Sequence, residues 1–165
     1  MRSPKALSLK NIYHQLPARF FETVEPTPVS NPSTIIINDK LAGFLNININ
    51  SIRGNLGLNI FSGNVTPKNS KPLSMTYAGH QFGSWVPQLG DGRAILLGET
   101  IGKDHLLYDV QLKGSGRTPF SRMGDGRSAL GPVLREYLVS EAMECLGIPT
   151  TRSLAAILTG EVVQR

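Results

Sequence analysis

The sequence predicts an α+β domain: an antiparallel sheet, one long helix packed on it, and an extended N-terminal arm. Three observations predict it. Ala94-Ile-Leu-Leu is an apolar run of strand length closed by Gly98, and Leu106-Leu-Tyr-Asp-Val-Gln-Leu alternates loosely before Lys113. Between them, Gly102-Lys103-Asp104 suits a hairpin turn. Leu134, Leu138, Ala142 and Cys145/Leu146 then recur at helical spacing. Pro132 stands ready for the first turn of that helix and Gly147 for its C-cap.

The remaining elements follow in chain order. Pro17, Pro26, Pro28 and Pro32 surround the aromatic pair Phe20-Phe21, which reads as an arm laid over a globular body. A short helix fits Leu41–Leu45. From Asn46 to Ser74 the chain is rich in Asn, Gly, Ser and Pro with few periodic apolar residues, which predicts irregular surface structure. Arm and irregular region together make residues 1–75, and the sheet-and-helix region makes 76–165. A loop from Gly114 to Gly131 carries five glycines, and a loop that long in a compact domain is functional or disordered. Ser153–Leu158 fits another strand or a short helix. The ending Glu161-Val-Val-Gln-Arg has an apolar pair and no tail, so the chain is expected to be cut from something longer.

Composition narrows the class. At 165 residues there is room for one domain with a real core, and a 40% hydrophobic share argues against disorder throughout. Apolar runs fall far short of the roughly eighteen residues that span a bilayer. The first twenty residues hold no continuous apolar stretch of secretory type. They also lack acidic residues, as transit peptides do, but Pro4 and Pro17 oppose an uninterrupted amphipathic helix. The single cysteine, Cys145, excludes an intrachain disulfide and fits a reducing compartment; its apolar neighbours predict a buried thiol. A net charge of +5 suits a polyphosphate, a nucleic acid or an anionic membrane, and does not choose among them.

The motifs choose better. Gly-Asp-Gly-Arg occurs at 90–93 and again at 124–127. Glycines let backbone N–H groups approach a phosphate and take positive φ, while arginine adds a fork of donors. One copy alone could be a tight Asp-Gly turn with a solvated arginine. Two copies flanking Lys113 at a strand end point to a phosphate site. Other phosphate loops fail: Gly102-Lys103 is followed by Asp104, and no apolar strand precedes Gly124-Asp-Gly-Arg-Ser-Ala.

Lys113 and Glu136 form a second constellation. A lysine ending a strand after a glycine-rich hairpin, followed by a helix glutamate, is the arrangement of a protein-kinase N-lobe, where the pair serves nucleotide phosphates. Glu136 lies one turn into the helix and off its apolar line, so it can face the sheet edge. The plainer alternative is two unrelated surface charges. The three histidines are scattered and form no zinc pattern, and His80 reads as a hydrogen-bonded loop residue. No serine sits in a GxSxG elbow. Tyr77, Phe82 and Trp85 read as packing under the first glycine loop.

Two long runs carry a resemblance. YAGHQFGSWVPQLGDGRAILLGE and DVQLKGSGRTPFSRMGDGRSALGPVLREYLVSEAMECLGIPTTRSL closely resemble the selenoprotein O family of protein adenylyltransferases, called YdiU in bacteria. The match is dense from Tyr77 to Leu158 and looser in Leu16-Pro-Ala-Arg-Phe-Phe and Pro26-Thr-Pro-Val. The resemblance implies a kinase-like fold that binds ATP in a flipped orientation and transfers AMP to Ser, Thr or Tyr hydroxyls of proteins. It implies that Gly90, Gly92 and Arg93 form the nucleotide loop, with the Lys113–Glu136 ion pair beside it. Asp125 and Gly126 would line the same site.

The resemblance also implies ATP with Mg²⁺ (or Mn²⁺), with the catalytic aspartate, the Asn/Asp metal pair and further arginines well downstream. No catalytic or metal-binding residue is therefore expected within this chain, which corresponds to the N-lobe with the C-lobe absent. By itself it is expected to be inactive and to expose an apolar C-lobe face. The expected partners are a nucleotide and, in the whole enzyme, protein substrates, with no nucleic acid and no membrane. The expected compartment is the cytoplasm in bacteria or the mitochondrion in a eukaryote. The competing reading is a non-catalytic nucleotide-binding or interaction module left by a split gene. An RNA-binding domain rests on charge alone.

Overall fold

The structure is a computed structural model that describes residues 7–163. Its elements run β1 (Phe21–Thr23), β2 (Ser33–Ile37), α1 (Asp39–Phe44), α2 (Ile49–Arg53), α3 (Asn55–Phe61), β3 (Leu73–Gln81) and β4 (Ser84–Gly90). They continue with β5 (Ala94–Ile101), β6 (Leu107–Lys113), α4 (Leu130–Cys145) and β7 (Ala155–Leu158). The main sheet is antiparallel in the order β1-β3-β5-β6, with β4 paired to β3, and β2 pairs with β7 in a small second sheet. The fold is α+β, as the sequence predicts.

β5 is central because its sequence is apolar on both faces; Ile95 and Leu97 are fully buried. It pairs with β6 from Ala94↔Lys113 to Ile101↔Leu107 through the predicted turn, where the Gly102 amide meets the Leu106 carbonyl at 3.0 Å. Gly98 lies inside β5 instead of closing it. A bulge falls between Leu96 and Gly98, and the arm crosses there: Lys10 and Glu99 exchange backbone hydrogen bonds of 2.8 and 3.0 Å. A side chain at Gly98 would collide with the Lys10 carbonyl, so a glycine is required. At the β3–β4 tip, Phe82 and Gly83 both have positive φ, the twist-compatible geometry of a two-residue hairpin.

The stretch from 46 to 74 is irregular only in part. It holds α2, α3 and the start of β3. Among the asparagines that suggested loop, Asn48 is a helix cap whose Oδ1 accepts from the Ser51 amide at 3.1 Å, as Asn38 Oδ1 does from the Leu41 amide at 3.0 Å at the start of α1. Helices of five and seven residues are too short to display a period, yet each buries one isoleucine, Ile52 and Ile60.

Those helices form the core. Leu41, Ala42, Leu45, Ile52 and Ile60 meet Leu97, Val110 and Leu112 of the sheet, joined by Leu7 and Leu9 of the arm. Each such side chain contributes about 1.5–3 kcal/mol of burial. Since α1–α3 cover this sheet face, the expected packing of α4 on the sheet does not occur there. α4 instead rests on β7 and buries Tyr137 and Ser140. Much of its apolar line is solvent-facing: Leu138 is 69% exposed and Leu146 74%. Cys145 is exposed too, so the predicted buried thiol is corrected. Helical spacing identifies a shared face, not what that face meets. α4 ends as predicted, with Gly147 at φ +73.

Candidate functional site

Two loops meet where β5 begins and β6 ends. The first Gly-Asp-Gly-Arg joins β4 to β5, and Lys113 ends β6 directly across from Ala94. The segment after Lys113 doubles back on itself, with Ser115 bridged to Arg127 and the Gly116 amide 3.4 Å from the Gly126 carbonyl. Gly116 and Gly126 both have positive φ, and a side chain at 126 would strike the Gly116 backbone. Closing this loop therefore depends on glycine. It brings the second Gly-Asp-Gly-Arg back beside the first.

Hydroxyls then fasten loop to loop. Thr118 Oγ1 and Ser74 Oγ donate to the Asp91 carbonyl at 2.7 and 2.8 Å, and Ser121 Oγ donates to the Gly92 carbonyl at 2.7 Å. The Phe120 ring lies against Gly90 so closely that a side chain there would overlap it. With those carbonyls engaged, the amides of Gly92 and Arg93 have no protein acceptor among the described residues. They border a cleft of about 320 Å³, lined also by Asp91, Lys113, Ser121 and Gly126. The positive-φ Gly126, unpaired amides and a lysine suit a phosphate group.

Lys113 Nζ donates to Glu136 Oε1 at 2.8 Å, and about half of each side chain is exposed. α4 thus reaches the main sheet through this ion pair. Burial pushes the Asp91 carboxyl above the usual carboxylate range; a backbone hydrogen bond at Met75 and the charge of Lys113 oppose that shift.

Gly92, Arg93, Lys113 and Gly126 line the cleft, and Glu136 holds Lys113 from α4. Gly90 lines an adjoining cleft of about 500 Å³ that shares Tyr77, Gly92 and Phe120 with the first. Asp125 lines neither; its Oδ1 accepts from the Arg127 amide at 2.8 Å and shapes the turn. Sequence reasoning missed Asp91, Phe120 and Ser121. Asp91 could have been found, since it sits inside the first motif. Phe120 and Ser121 act across almost thirty residues and leave no local signal.

Three further readings change. His80 lies on β3, edge-on to the Trp85 ring at 5.1 Å, and is not a loop residue. Phe82 is 99% exposed and Trp85 is exposed, so they do not pack under the first glycine loop. Phe120 does that, with Tyr77 reaching the Gly90 carbonyl at 3.5 Å. Among the described residues no three His, Cys, Asp or Glu side chains gather closely enough to hold a metal ion. Nor is any described helix long and apolar enough to cross a membrane.

Fold and cleft define the class: an α+β lobe whose lysine–glutamate pair faces two interlocked glycine loops. The family model of the protein adenylyltransferase SelO matches residues 5–165, and the chain belongs to that family. It is similar to the protein nucleotidyltransferase YdiU of Alkalilimnicola ehrlichii, 59% identical over 155 residues that make 94% of this chain and 31% of that protein. The protein nucleotidyltransferase YdiU of Rhizobium etli is 57% identical over 99% of this chain and 33% of its own length. That of Rhodopseudomonas palustris is 60% identical, over 94% and 32%. The family is thus one of nucleotidyltransferases, and the chain spans about a third of the length of the curated relatives it matches.

Proposed function

We propose that this chain is the N-terminal, nucleotide-binding part of a protein adenylyltransferase that moves AMP from ATP to Ser, Thr or Tyr hydroxyls of proteins. The observation that carries the reading is the Lys113–Glu136 pair beside a cleft lined by both glycine loops. Lys113 and Arg93 would offset the charge of the phosphates, while the amides of Gly92 and Arg93 and the backbone at Gly126 would orient them. Glu136 keeps the Lys113 ammonium in place, as in kinase-type sites. Gly90 shapes the first loop, and Asp125 holds the second loop's turn. In the transfer, a hydroxyl oxygen bonds the α-phosphorus and gives up its proton to the medium, the bond to the bridging oxygen breaks, and pyrophosphate departs with that electron pair.

A divalent ion, Mg²⁺ or Mn²⁺, would offset phosphate charge in the whole enzyme. Among the described residues no donor set fits one, so no step is assigned to it here. Its ligands and the catalytic aspartate belong, on this reading, to the two-thirds of the relatives' length beyond the match. The isolated chain then binds nucleotide weakly and transfers nothing. The setting proposed is the bacterial cytoplasm, with protein substrates and no nucleic-acid partner.

Labelled ATP tests this directly. The full-length protein that contains this chain, given ATP labelled at the α-phosphate, should label protein; ATP labelled at the γ-phosphate should not. Label arriving from the γ-position would make the enzyme a kinase instead. Competition by unlabelled UTP in the same assay reads base preference.

A further inference from the structure

The two Gly-Asp-Gly-Arg copies place their arginines in different surroundings. Arg93 is exposed at the cleft. The Arg127 side chain is only 11% exposed and is engaged elsewhere. Its guanidinium donates to the carbonyls of Thr27 and Pro28 at 3.2 and 3.3 Å and pairs with Glu161 at 3.3 Å. The same arm segment grips the loop a second time: the Thr27 amide donates to the Ser115 carbonyl at 2.8 Å. Gly116 abuts the Thr27 side chain with no room for a Cβ. Ser115 is bridged to Arg127, which closes the ring of contacts.

We infer that Arg127 is a positioning residue, not a phosphate ligand: it anchors the second glycine loop to the N-terminal arm and to Glu161, and so holds Gly126 beside Lys113. The chemistry favours arginine for this task. A planar fork reaches two successive carbonyls and a carboxylate at once, which a lysine ammonium on a flexible stem does not reproduce. The arm thereby becomes part of the site's support although none of its described residues lines the cleft. The effect on affinity rests on the nucleotide reading above; the anchoring itself does not.

The test uses the 165-residue chain and two readouts. Hydrogen exchange at the Thr27 and Gly116 amides should speed about tenfold in Arg127→Lys, and less in Glu161→Gln, because the anchor opens locally. By calorimetry, Arg127→Lys should weaken ATP and ADP by the same factor, about three- to tenfold, leaving their ratio unchanged. Arg93→Ala should lower the preference for ATP over ADP, because it removes charge that faces phosphate. An Arg127→Lys chain that loses that preference as Arg93→Ala does would overturn the inference, as would exchange unchanged at both amides. If the unaltered chain binds neither nucleotide, the functional reading fails by itself and exchange still decides the anchor. Because Lys preserves the charge at 127, the test avoids the larger destabilisation of an alanine variant.

Discussion

Lys113 and Glu136 hold each other at 2.8 Å with about half of each side chain in solvent. An ion pair that exposed contributes at most about 1 kcal/mol, so stability is a poor reason for its place at the mouth of a cleft. Replacing Lys113 by alanine should move unfolding free energy by no more than about 0.5 kcal/mol while weakening ATP binding about tenfold or more, the cost of roughly 1.4 kcal/mol. Denaturant unfolding and calorimetry on the same sample separate the two effects. Gly126 makes the opposite case. Its φ of +70 and its contact with the Gly116 backbone leave no room for a Cβ. Gly126→Ala should destabilise by about 2–4 kcal/mol, read as a lower denaturant midpoint.

Among the elements, the arm is secured by a buried acid. Glu99 is 1% exposed, and its two oxygens accept from the Ile12 and Tyr13 amides at 2.8 Å each. In Glu99→Gln the side-chain NH₂ must face one of those amides, donor against donor. The expected loss is about 1–3 kcal/mol, with the Ile12 and Tyr13 amides exchanging faster than the rest of the sheet. α4 is fixed by Arg152, which meets Glu141 at 2.7 and 2.8 Å and Glu144 at 2.9 Å. Hydrogen bonding to Arg152 holds the Glu141 carboxyl below its ordinary range. Its contribution is therefore complete above that ordinary range and is lost as pH falls through the lowered value. Arg152→Ala should cost about 1–2 kcal/mol at neutral pH and flatten the acid limb below about pH 4 in a stability-against-pH series.

At the scale of the molecule, the sheet is covered by α1–α3 on one face, while Leu130 and Leu138 of α4 and Leu146 and Ile148 just after it are exposed. An apolar strip of that kind is uncommon on a free soluble surface and promotes association. Leu138→Gln should leave unfolding free energy within about 0.5 kcal/mol and reduce concentration-dependent light scattering. A larger loss of stability would mean that Leu138 packs in solution. That α4 carries an apolar line through Leu138 and Leu146 was legible from residue spacing, which predicted that the line packs on the sheet. That the line faces solvent, with Tyr137 and Ser140 turned inward, was not legible.

The sequence by itself determined the α+β class, the β5–β6 hairpin, Lys113 at a strand end and Glu136 on the following helix. These are local properties: alternation, helical spacing and the order strand, loop, helix along neighbouring segments. It also marked Gly92 and Gly126, because close approach, joined at Gly126 by positive φ, selects glycine wherever it occurs. Tertiary structure alone decided that α1–α3 cover the sheet, that Phe120 seals Gly90, that Cys145 is exposed and that Arg127 faces the arm. Those contacts join segments from about thirty to a hundred residues apart. A periodic pattern states which residues share a face; only the closed chain supplies what that face meets.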